Sequence, residues 1–300
     1  MKIKAAALLS AALLLAGCGS SGTDSSKTHV VASFYPFAFV AQQVGGSHVT
    51  VDNLTGPGVE PHDLELKPKQ VGAVQDADLV IFEKKFQAAV DKAVDQADRT
   101  PKGTVDVAKL VTLKRLQEGA AEKGEHGDND PHIWLDPHNM IAVTEAVAAK
   151  LSALDPKNAS AFAANAATLS GKLQTLDSSY KTELATCRTK MIVTSHAAFQ
   201  YLADRYGLTQ VPIAGIDPAN EPSPSQLADI TKLVRRDKIT TIFTEELVSP
   251  AIAKTVARET GATTATLDPI EGLSDETAHE NYLTLMAKNL SAIAKADNCS

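Results

Sequence analysis

The sequence predicts an α/β fold with two lobes, each a mostly parallel sheet flanked by helices, joined by one long rigid helix. Three features of the 300-residue chain support this prediction. Short runs of β-branched residues alternate with helical patterns, which is typical of parallel sheets with helices on their faces. The alternation occurs twice, and the segment 155–186 between the two sets is nearly free of glycine and proline. A composition of 44% hydrophobic and 22% charged residues is that of a folded globular chain.

The first set of alternating elements lies within residues 29–154. Pro36 suits the first turn of a helix, and Gly45-Gly46 suits its end. Apolar residues between Phe86 and Ala97 recur at helical spacing. In chain order, the predicted elements are strand 29–35, helix 36–46, strand 49–54, helix 67–75, strand 79–82, helix 86–97 and strand 104–107. We therefore expect residues 29–154 to form the first lobe.

The second set of elements lies within residues 188–300 and follows the same pattern. Ser223-Pro224 and Ser249-Pro250 each resemble a helix N-cap followed by proline at the first helical position. The predicted strands are 191–194, 211–213, 241–243 and 263–267. Residues 188–300 are therefore expected to form the second lobe.

The connecting segment, 155–187, predicts the long helix. It has one glycine, Gly171, before Thr186 and no proline after Pro156. A single helix of that length would span ~45 Å at ~1.5 Å per residue, which is more than one small lobe requires. We interpret it as a spacer that crosses both lobes. The alternative is a pair of ordinary helices broken near Gly171.

The N-terminus predicts export and a lipid anchor. Lys2 and Lys4 precede an apolar run, 5–17, that is shorter than the ~20 residues of a membrane-spanning helix. The sequence Leu15-Ala16-Gly17-Cys18 resembles the bacterial lipobox, which implies a signal peptide at 1–17, a lipidated Cys18 and a flexible linker to residue 28. The alternative is a plain signal peptide with an incidental cysteine. Either way, the mature protein is expected outside the cytoplasm, and lipidation would hold it at the extracytoplasmic face of the membrane.

The charge and the cysteine content limit which partners the protein could bind and which cellular compartment it could occupy. Without residues 1–17 the chain carries 27 Lys and Arg, which is 29 less Lys2 and Lys4, against 36 Asp and Glu, a formal charge of −9. That balance disfavours nucleic-acid binding. With Cys18 lipidated, Cys187 and Cys299 remain as an even pair in an oxidising compartment. We predict that they form a disulfide.

Four side chains at predicted strand ends are candidate metal ligands. His62 follows strand 49–54, and His196 follows the first strand of the second lobe. Asp268 ends the last strand, and His132 follows Asp130-Pro131. Ligands of open parallel sheets bind where the carboxyl ends of strands converge, so these four side chains should meet between the lobes. Glu60 is an alternative ligand if Asp268 does not take part.

Two further histidines lie near this set but are expected not to bind the metal. His138 follows Asp136-Pro137, a good helix N-cap pair, and should be exposed in the first helical turn. Asp136 itself is interpreted as the cap, although it could instead orient His132. The polar segment 117–130, which includes His126, is predicted to be an exposed loop.

The chain resembles the metal-binding lipoproteins of bacterial ABC importers, the zinc and manganese solute-binding proteins of the ZnuA/TroA type. The resemblance covers nearly all of the mature chain and rests on EPHDLELKP, DPHIWLDP, TSHAAFQYLA, EPSPSQL, the Phe243-Thr244-Glu245 strand end, LDPIEG and ENYLTLMAKNL. It implies two lobes joined by one long helix, an ABC permease and its ATPase as partners, and metal ligands at His62, His132, His196 and Asp268. Manganese members tend to have glutamate at the position of His196, so three imidazoles favour Zn²⁺.

We therefore predict an extracytoplasmic, high-affinity zinc-binding protein, expected to be a monomer, that delivers Zn²⁺ to an ABC-type importer. Four protein ligands leave no open position for a reacting water, which argues for a carrier and against an enzyme. Three alternatives stay open: a manganese or iron carrier of the same family, a zinc-dependent extracellular hydrolase, and a surface adhesin.

Overall fold

The computed structural model describes residues 27–99, 103–116 and 128–299. The predicted signal peptide 1–17, the predicted lipidation site Cys18, and His126 with most of the polar loop lie outside the described residues. None of the helices in the described part of the chain combines the length and the hydrophobicity needed to cross a bilayer.

The first lobe is a four-stranded parallel sheet with strand order β2-β1-β3-β4. Alternate residues of the central strands face opposite sides: Val30 packs in the main core, whereas Val31 packs in a second cluster with Val80 and Val94. Both faces are therefore covered, as the near-continuous apolar strands indicate. Its elements are β1 Thr28–Ala32, α1 Tyr35–Gly45, β2 Val49–Asn53, α2 Pro68–Asp76, β3 Leu79–Phe82, α3 Ala88–Gln96 and β4 Thr104–Asp106.

The second lobe repeats this topology with strand order β6-β5-β7-β8, again all parallel. Ser223 caps α7 as predicted, since its hydroxyl accepts the N–H of Gln226. Helix α8 begins at Ala251, one residue after the predicted Ser249-Pro250 start. The elements are β5 Met191–Thr194, α6 Gln200–Tyr206, β6 Thr209–Pro212, α7 Pro224–Arg236, β7 Thr241–Thr244, α8 Ala251–Thr260, β8 Thr263–Thr266 and α9 Tyr282–Ala296.

The long helix α5, Ala159–Leu184, connects the lobes, and α4, Pro137–Leu154, precedes it as the last helix of the first lobe. Helix α5 has 26 residues, or ~39 Å at ~1.5 Å per residue, and it runs through Gly171 without a break. It packs on α1 and α4 of the first lobe and on α9 and α6 of the second. The predicted long helix is confirmed, and one continuous apolar core extends from the first sheet to α9.

The predicted disulfide between Cys187 and Cys299 is confirmed. It joins the chain just after α5 to the chain just after α9, and the two cysteines are 112 residues apart in sequence. The backbone N–H of Cys299 also donates to the carbonyl of Ala294. The bond therefore ties the C-terminal helix of the second lobe to the end of the helix that links the lobes.

Replacing both cysteines, Cys187→Ser with Cys299→Ser, should lower the free energy of unfolding by up to about 4–5 kcal/mol, because a long loop in the unfolded chain is no longer closed. Urea unfolding of the double variant and of the oxidised wild type measures this difference. Metal affinity should stay within about twofold, since neither cysteine is among the predicted metal ligands. Equal unfolding midpoints would contradict the expected stabilisation.

Candidate metal centre

Three histidines and one glutamate meet between the two lobes. His62 and His132 come from the first lobe, and His196 and Glu271 come from the second. Within the described residues these four form the group whose ligand atoms all lie within 4.8 Å of one another. All four side chains are buried. The structure thus brings together the three imidazoles that the sequence predicted, and it places Glu271 with them where the sequence predicted Asp268.

Four of the six distances between the ligand atoms of this group lie between 3.3 and 3.5 Å, and all six are within 4.8 Å. Glu271 Oε1 lies 3.4 Å from His62 Nε2, 3.3 Å from His132 Nε2 and 3.5 Å from His196 Nε2. His132 Nε2 and His196 Nε2 are 3.3 Å apart. A regular tetrahedron whose vertices lie ~2.0–2.1 Å from its centre has edges of about 3.3–3.4 Å. The spacing therefore fits one small ion held by three nitrogens and one oxygen.

The strand order explains why these side chains converge. In each lobe the order reverses between the two central strands, β1 and β3 in the first and β5 and β7 in the second. The loops after such strands separate, and the crevice between them is where open parallel sheets bind ligands. His196 follows β5, and Glu245 follows β7 immediately. The second lobe thus presents its imidazole at its own switch point.

Glu245 holds the His196 ring in place. Both carboxylate oxygens lie 2.8 Å from Nδ1 of His196, and Oε1 also accepts the backbone N–H of His196. Because a carboxylate only accepts, Nδ1 must carry the proton, which leaves Nε2 to face the group. Burial opposes protonation of the ring, but the Glu245 and Glu271 carboxylates outweigh it and raise the pKa of His196 well above its usual value.

Asp130 holds the ring of His132 in place, as Glu245 holds that of His196. Its Oδ1 accepts the backbone N–H of His132 at 2.9 Å and lies 2.8 Å from Nδ1 of the ring. The pKa of His132 is raised, because the attraction of Asp130 and Glu271 exceeds the opposing effect of burial. This role of Asp130 was not predicted from the sequence, although a carboxylate two residues before a candidate ligand was a usable signal.

Asp136 is the helix cap that the sequence predicted and not the partner of His132. Its Oδ1 accepts the N–H of His138 at 2.8 Å and lies 3.1 Å from Nε of Arg205. His138 lies outside the group of four ligands. Arg205 also pairs with Asp177 of α5 at 2.6 Å, so Asp136 helps to join α4 to the linking helix and to α6.

His62 is held by the turn that follows β2. The Glu60 carboxylate accepts the backbone N–H of His62 at 3.0 Å, and the imidazole packs edge-on against Phe86, with ring centroids 4.8 Å apart. Burial, above all, lowers the pKa of His62 to about 4. Burial and the nearby Glu271 raise the pKa of Glu60 to about 8. Glu60, the predicted alternative ligand, is not a member of the group of four.

Asp268 differs from its predicted position. Its Oδ1 accepts the backbone N–H of Ile270 at 2.8 Å, so the carboxylate closes a local turn instead of entering the group of ligand atoms. Ile270 has a left-handed backbone, with φ of 58°, and the chain then presents Glu271 to the imidazoles. Burial raises the pKa of Asp268 to about 7. Burial by itself would also raise the pKa of Glu271. Its hydrogen bonds to the three imidazoles outweigh that effect and hold the pKa well below its usual value.

The chain matches a known protein family. A protein-family model described as "Zinc-uptake complex component A periplasmic" matches residues 30–296. The zinc-binding lipoprotein AdcA of Streptococcus pneumoniae (strain ATCC BAA-255 / R6) is 39% identical over 292 residues, which are 94% of this chain. The chain spans only 58% of the length of that relative. ZnuA of Bacillus subtilis (strain 168), a high-affinity zinc uptake system protein, is 35% identical over 302 residues, 94% of this chain and 93% of ZnuA.

Solved structures agree with the predicted architecture. The crystal structure of the Zn(II)-bound ZnuA-like domain of Streptococcus pneumoniae AdcA matches with a TM-score of 0.77 and 38% sequence identity. The match covers 91% of this chain and 99% of that domain. The predicted fold of two parallel sheets flanked by helices and joined by a long helix is confirmed.

Proposed function

Since this chain belongs to the family of zinc-uptake complex component A proteins, we propose that it binds Zn²⁺ outside the cytoplasm and delivers it to an ABC-type importer. His62, His132, His196 and Glu271 are the proposed ligands. The observation that carries the proposal is that Glu271 Oε1 lies 3.3–3.5 Å from all three Nε2 atoms, while His132 Nε2 and His196 Nε2 are 3.3 Å apart. That spacing is what a tetrahedral ion with ~2.0–2.1 Å bonds requires.

The donor set favours zinc over manganese. Imidazole nitrogen suits Zn²⁺, whereas Mn²⁺ prefers oxygen ligands and higher coordination numbers. Asp130 and Glu245 keep two of the rings oriented with Nε2 toward the group. Such carboxylate partners also raise the basicity of the ligating nitrogen, which strengthens its bond to a metal.

Four protein ligands support a carrier role. A catalytic zinc ion commonly has three protein ligands and keeps a position for water. Here the four ligand side chains are all buried, and both lobes contribute two. Binding and release of the ion therefore depend on how the lobes and their loops meet, which is a property suited to transport.

The proposed cellular setting follows from the N-terminus and the family. Cys18 is the proposed lipidation site, and residues 19–27 would link the anchor to β1, which begins at Thr28. A permease in the same membrane, with its ATPase, is the proposed recipient of the ion. A tether of about ten residues reaches at most ~30–35 Å, which keeps the protein close to such a permease.

Metal analysis of the purified protein is the direct test of the proposed cargo. We expect one zinc per chain, and we expect Zn²⁺ to displace Mn²⁺ and Fe²⁺ when the ions compete at equal free concentrations. A chain that retains manganese or iron under these conditions would be a carrier of another metal. Hydrolysis of esters or peptides that is lost on chelation would instead indicate the alternative of a zinc-dependent hydrolase.

Zinc affinity should weaken as pH falls, because Nε2 of each ring must lose any proton before it binds the ion. The pKa values of His132 and His196 are raised, so proton competition should begin above the ordinary histidine value of ~6.5. His62, with a pKa of about 4, adds competition only in acid. Calorimetry in buffers of different ionisation enthalpy should detect up to two protons released per zinc near neutral pH. Affinity that does not change between about pH 5 and 8 would contradict the histidine ligands.

A further inference from the structure

The turn that presents Glu271, residues Asp268–Glu271, is held at its start by a side chain of α9. Asn289 Oδ1 accepts the backbone N–H of Asp268 at 2.9 Å, and Asn289 Nδ2 donates to the carbonyl of Asp268 at 2.6 Å. Asn289 is only 2% exposed. Both backbone polar groups of Asp268 are therefore fixed to the helix that completes the second lobe.

The middle of this turn is strained. Ile270 is β-branched and completely buried, yet its φ is 58°, in the left-handed region that is unfavourable for a non-glycine residue and most of all for a β-branched one. Such a conformation persists only where the surroundings enforce it. The Asp268 carboxylate, which accepts the N–H of Ile270 at 2.8 Å, supplies one such restraint.

Trp134 supplies the restraint from the opposite lobe. Its indole Nε1 donates to the carbonyl of Pro269 at 2.6 Å, while its own carbonyl accepts the hydroxyl of Tyr282 at 2.6 Å. Trp134 is fully buried and follows the ligand His132 by two residues, with ring centroids 5.1 Å apart. One side chain thus joins the segment that carries His132 to the turn that carries Glu271.

We propose that Trp134 and Asn289 are positioning residues of the metal centre, which hold the strained turn in the one arrangement that keeps Glu271 Oε1 within 3.3 Å of His132 Nε2. The inference rests on the proposed zinc-binding function. Ligands must be held to within about 0.5 Å for a site to bind its preferred metal well. Loss of either restraint leaves buried backbone groups unpaired and lets the strain at Ile270 relax, which moves the carboxylate away from the imidazoles.

The test compares Trp134→Phe and Asn289→Leu with wild type in the full mature chain. Each should weaken Zn²⁺ binding by about 10–100-fold, the usual effect of losing a group that orients a ligand. The dissociation rate of zinc should rise in proportion. With Co²⁺ as a spectroscopic probe, the visible absorption typical of four-coordinate cobalt should weaken, because the carboxylate no longer completes the tetrahedron. Chelator competition measures affinity without the tryptophan signal that one variant lacks.

Tyr180→Phe is the matched control. Its hydroxyl is also fully buried and also donates to a backbone carbonyl, that of Met286, at 2.7 Å, but it lies outside the turn and the ligand group. Stability should fall comparably, whereas zinc affinity and the cobalt spectrum should match wild type. If Trp134→Phe does not fold, Tyr282→Phe removes the hydrogen bond to the Trp134 carbonyl and carries the same expectation.

The possible results distinguish failure of the proposed zinc-binding function from failure of the proposed positioning role. Wild type that binds no zinc would refute the function and leave nothing for these residues to position. Wild type that binds zinc while Trp134→Phe and Asn289→Leu bind it equally well, with unchanged cobalt spectra, would overturn the positioning role alone. Equal losses in these variants and in Tyr180→Phe would also overturn it, since a general loss of stability would then account for the effect.

Discussion

Glu271→Gln should weaken zinc binding by at least about 100-fold, whereas Asp268→Asn should change it by less than about threefold. A structural zinc site contributes about 10–16 kcal/mol from four ligands, or about 2.5–4 kcal/mol for each. Glutamine removes the one negative charge that lies 3.3–3.5 Å from all three Nε2 atoms. Asparagine at position 268 keeps an oxygen that can accept the N–H of Ile270. Isothermal titration with a competing chelator measures both affinities.

The two variants show which of the two acidic residues of the LDPIEG segment binds zinc. Both residues are buried carboxylates three positions apart, so a general effect of removing a buried charge should appear in both variants. A large loss in Asp268→Asn with little change in Glu271→Gln would contradict the proposed ligand set. It would restore the ligand that the sequence alone predicted.

Zinc should raise the melting temperature by about 8–16 °C when its free concentration is about a thousandfold above its dissociation constant. The ion binds the folded state and stabilises it by about 4 kcal/mol under that condition. Each kcal/mol corresponds to about 2–4 °C for a chain of this size. The two lobes contribute two ligands each, so that neither lobe alone holds the ion. Differential scanning calorimetry with zinc and with excess chelator gives the shift.

His196→Ala and His138→Ala provide the matched pair for this prediction. Both remove one imidazole, but only His196 belongs to the buried group of ligands. The zinc-dependent shift should nearly vanish in His196→Ala and should stay within about 2 °C of wild type in His138→Ala. An unchanged shift in His196→Ala, or its loss in His138→Ala, would show that zinc stabilises the protein from another place.

Much of the fold could be predicted because local patterns and the tertiary arrangement agree. The strand at 79–82 is apolar throughout, as a strand covered on both faces must be, and β3 occupies those residues. The scarcity of glycine and proline over 155–186 indicated a long helix, and α5 continues through Gly171. Burial of Leu169 and Leu173 on the core side provides more stability than one exposed glycine removes.

The metal centre was predicted only in part, because the positions of its ligands depend on contacts between residues that are far apart in the sequence. His62 and His196 were placed by their position after strands, and His132 by the loop after Asp130-Pro131, which local patterns reveal. The choice between Asp268 and Glu271 depended on the left-handed backbone of Ile270, which a β-branched residue does not suggest. Glu245 acts on His196 from a neighbouring strand, and that pairing exists only once the strands are ordered.

Residue type and spacing along the chain were sufficient to predict the alternation of strands and helices, the long connecting helix, the pairing of Cys187 with Cys299 and the three imidazoles. The carboxylate that meets these imidazoles depends instead on contacts made in the folded protein. The turn strained at Ile270 is held by hydrogen bonds from Trp134 of the other lobe and from Asn289 of α9. Contacts between segments far apart in the sequence produce no local sequence pattern, so they could not be predicted.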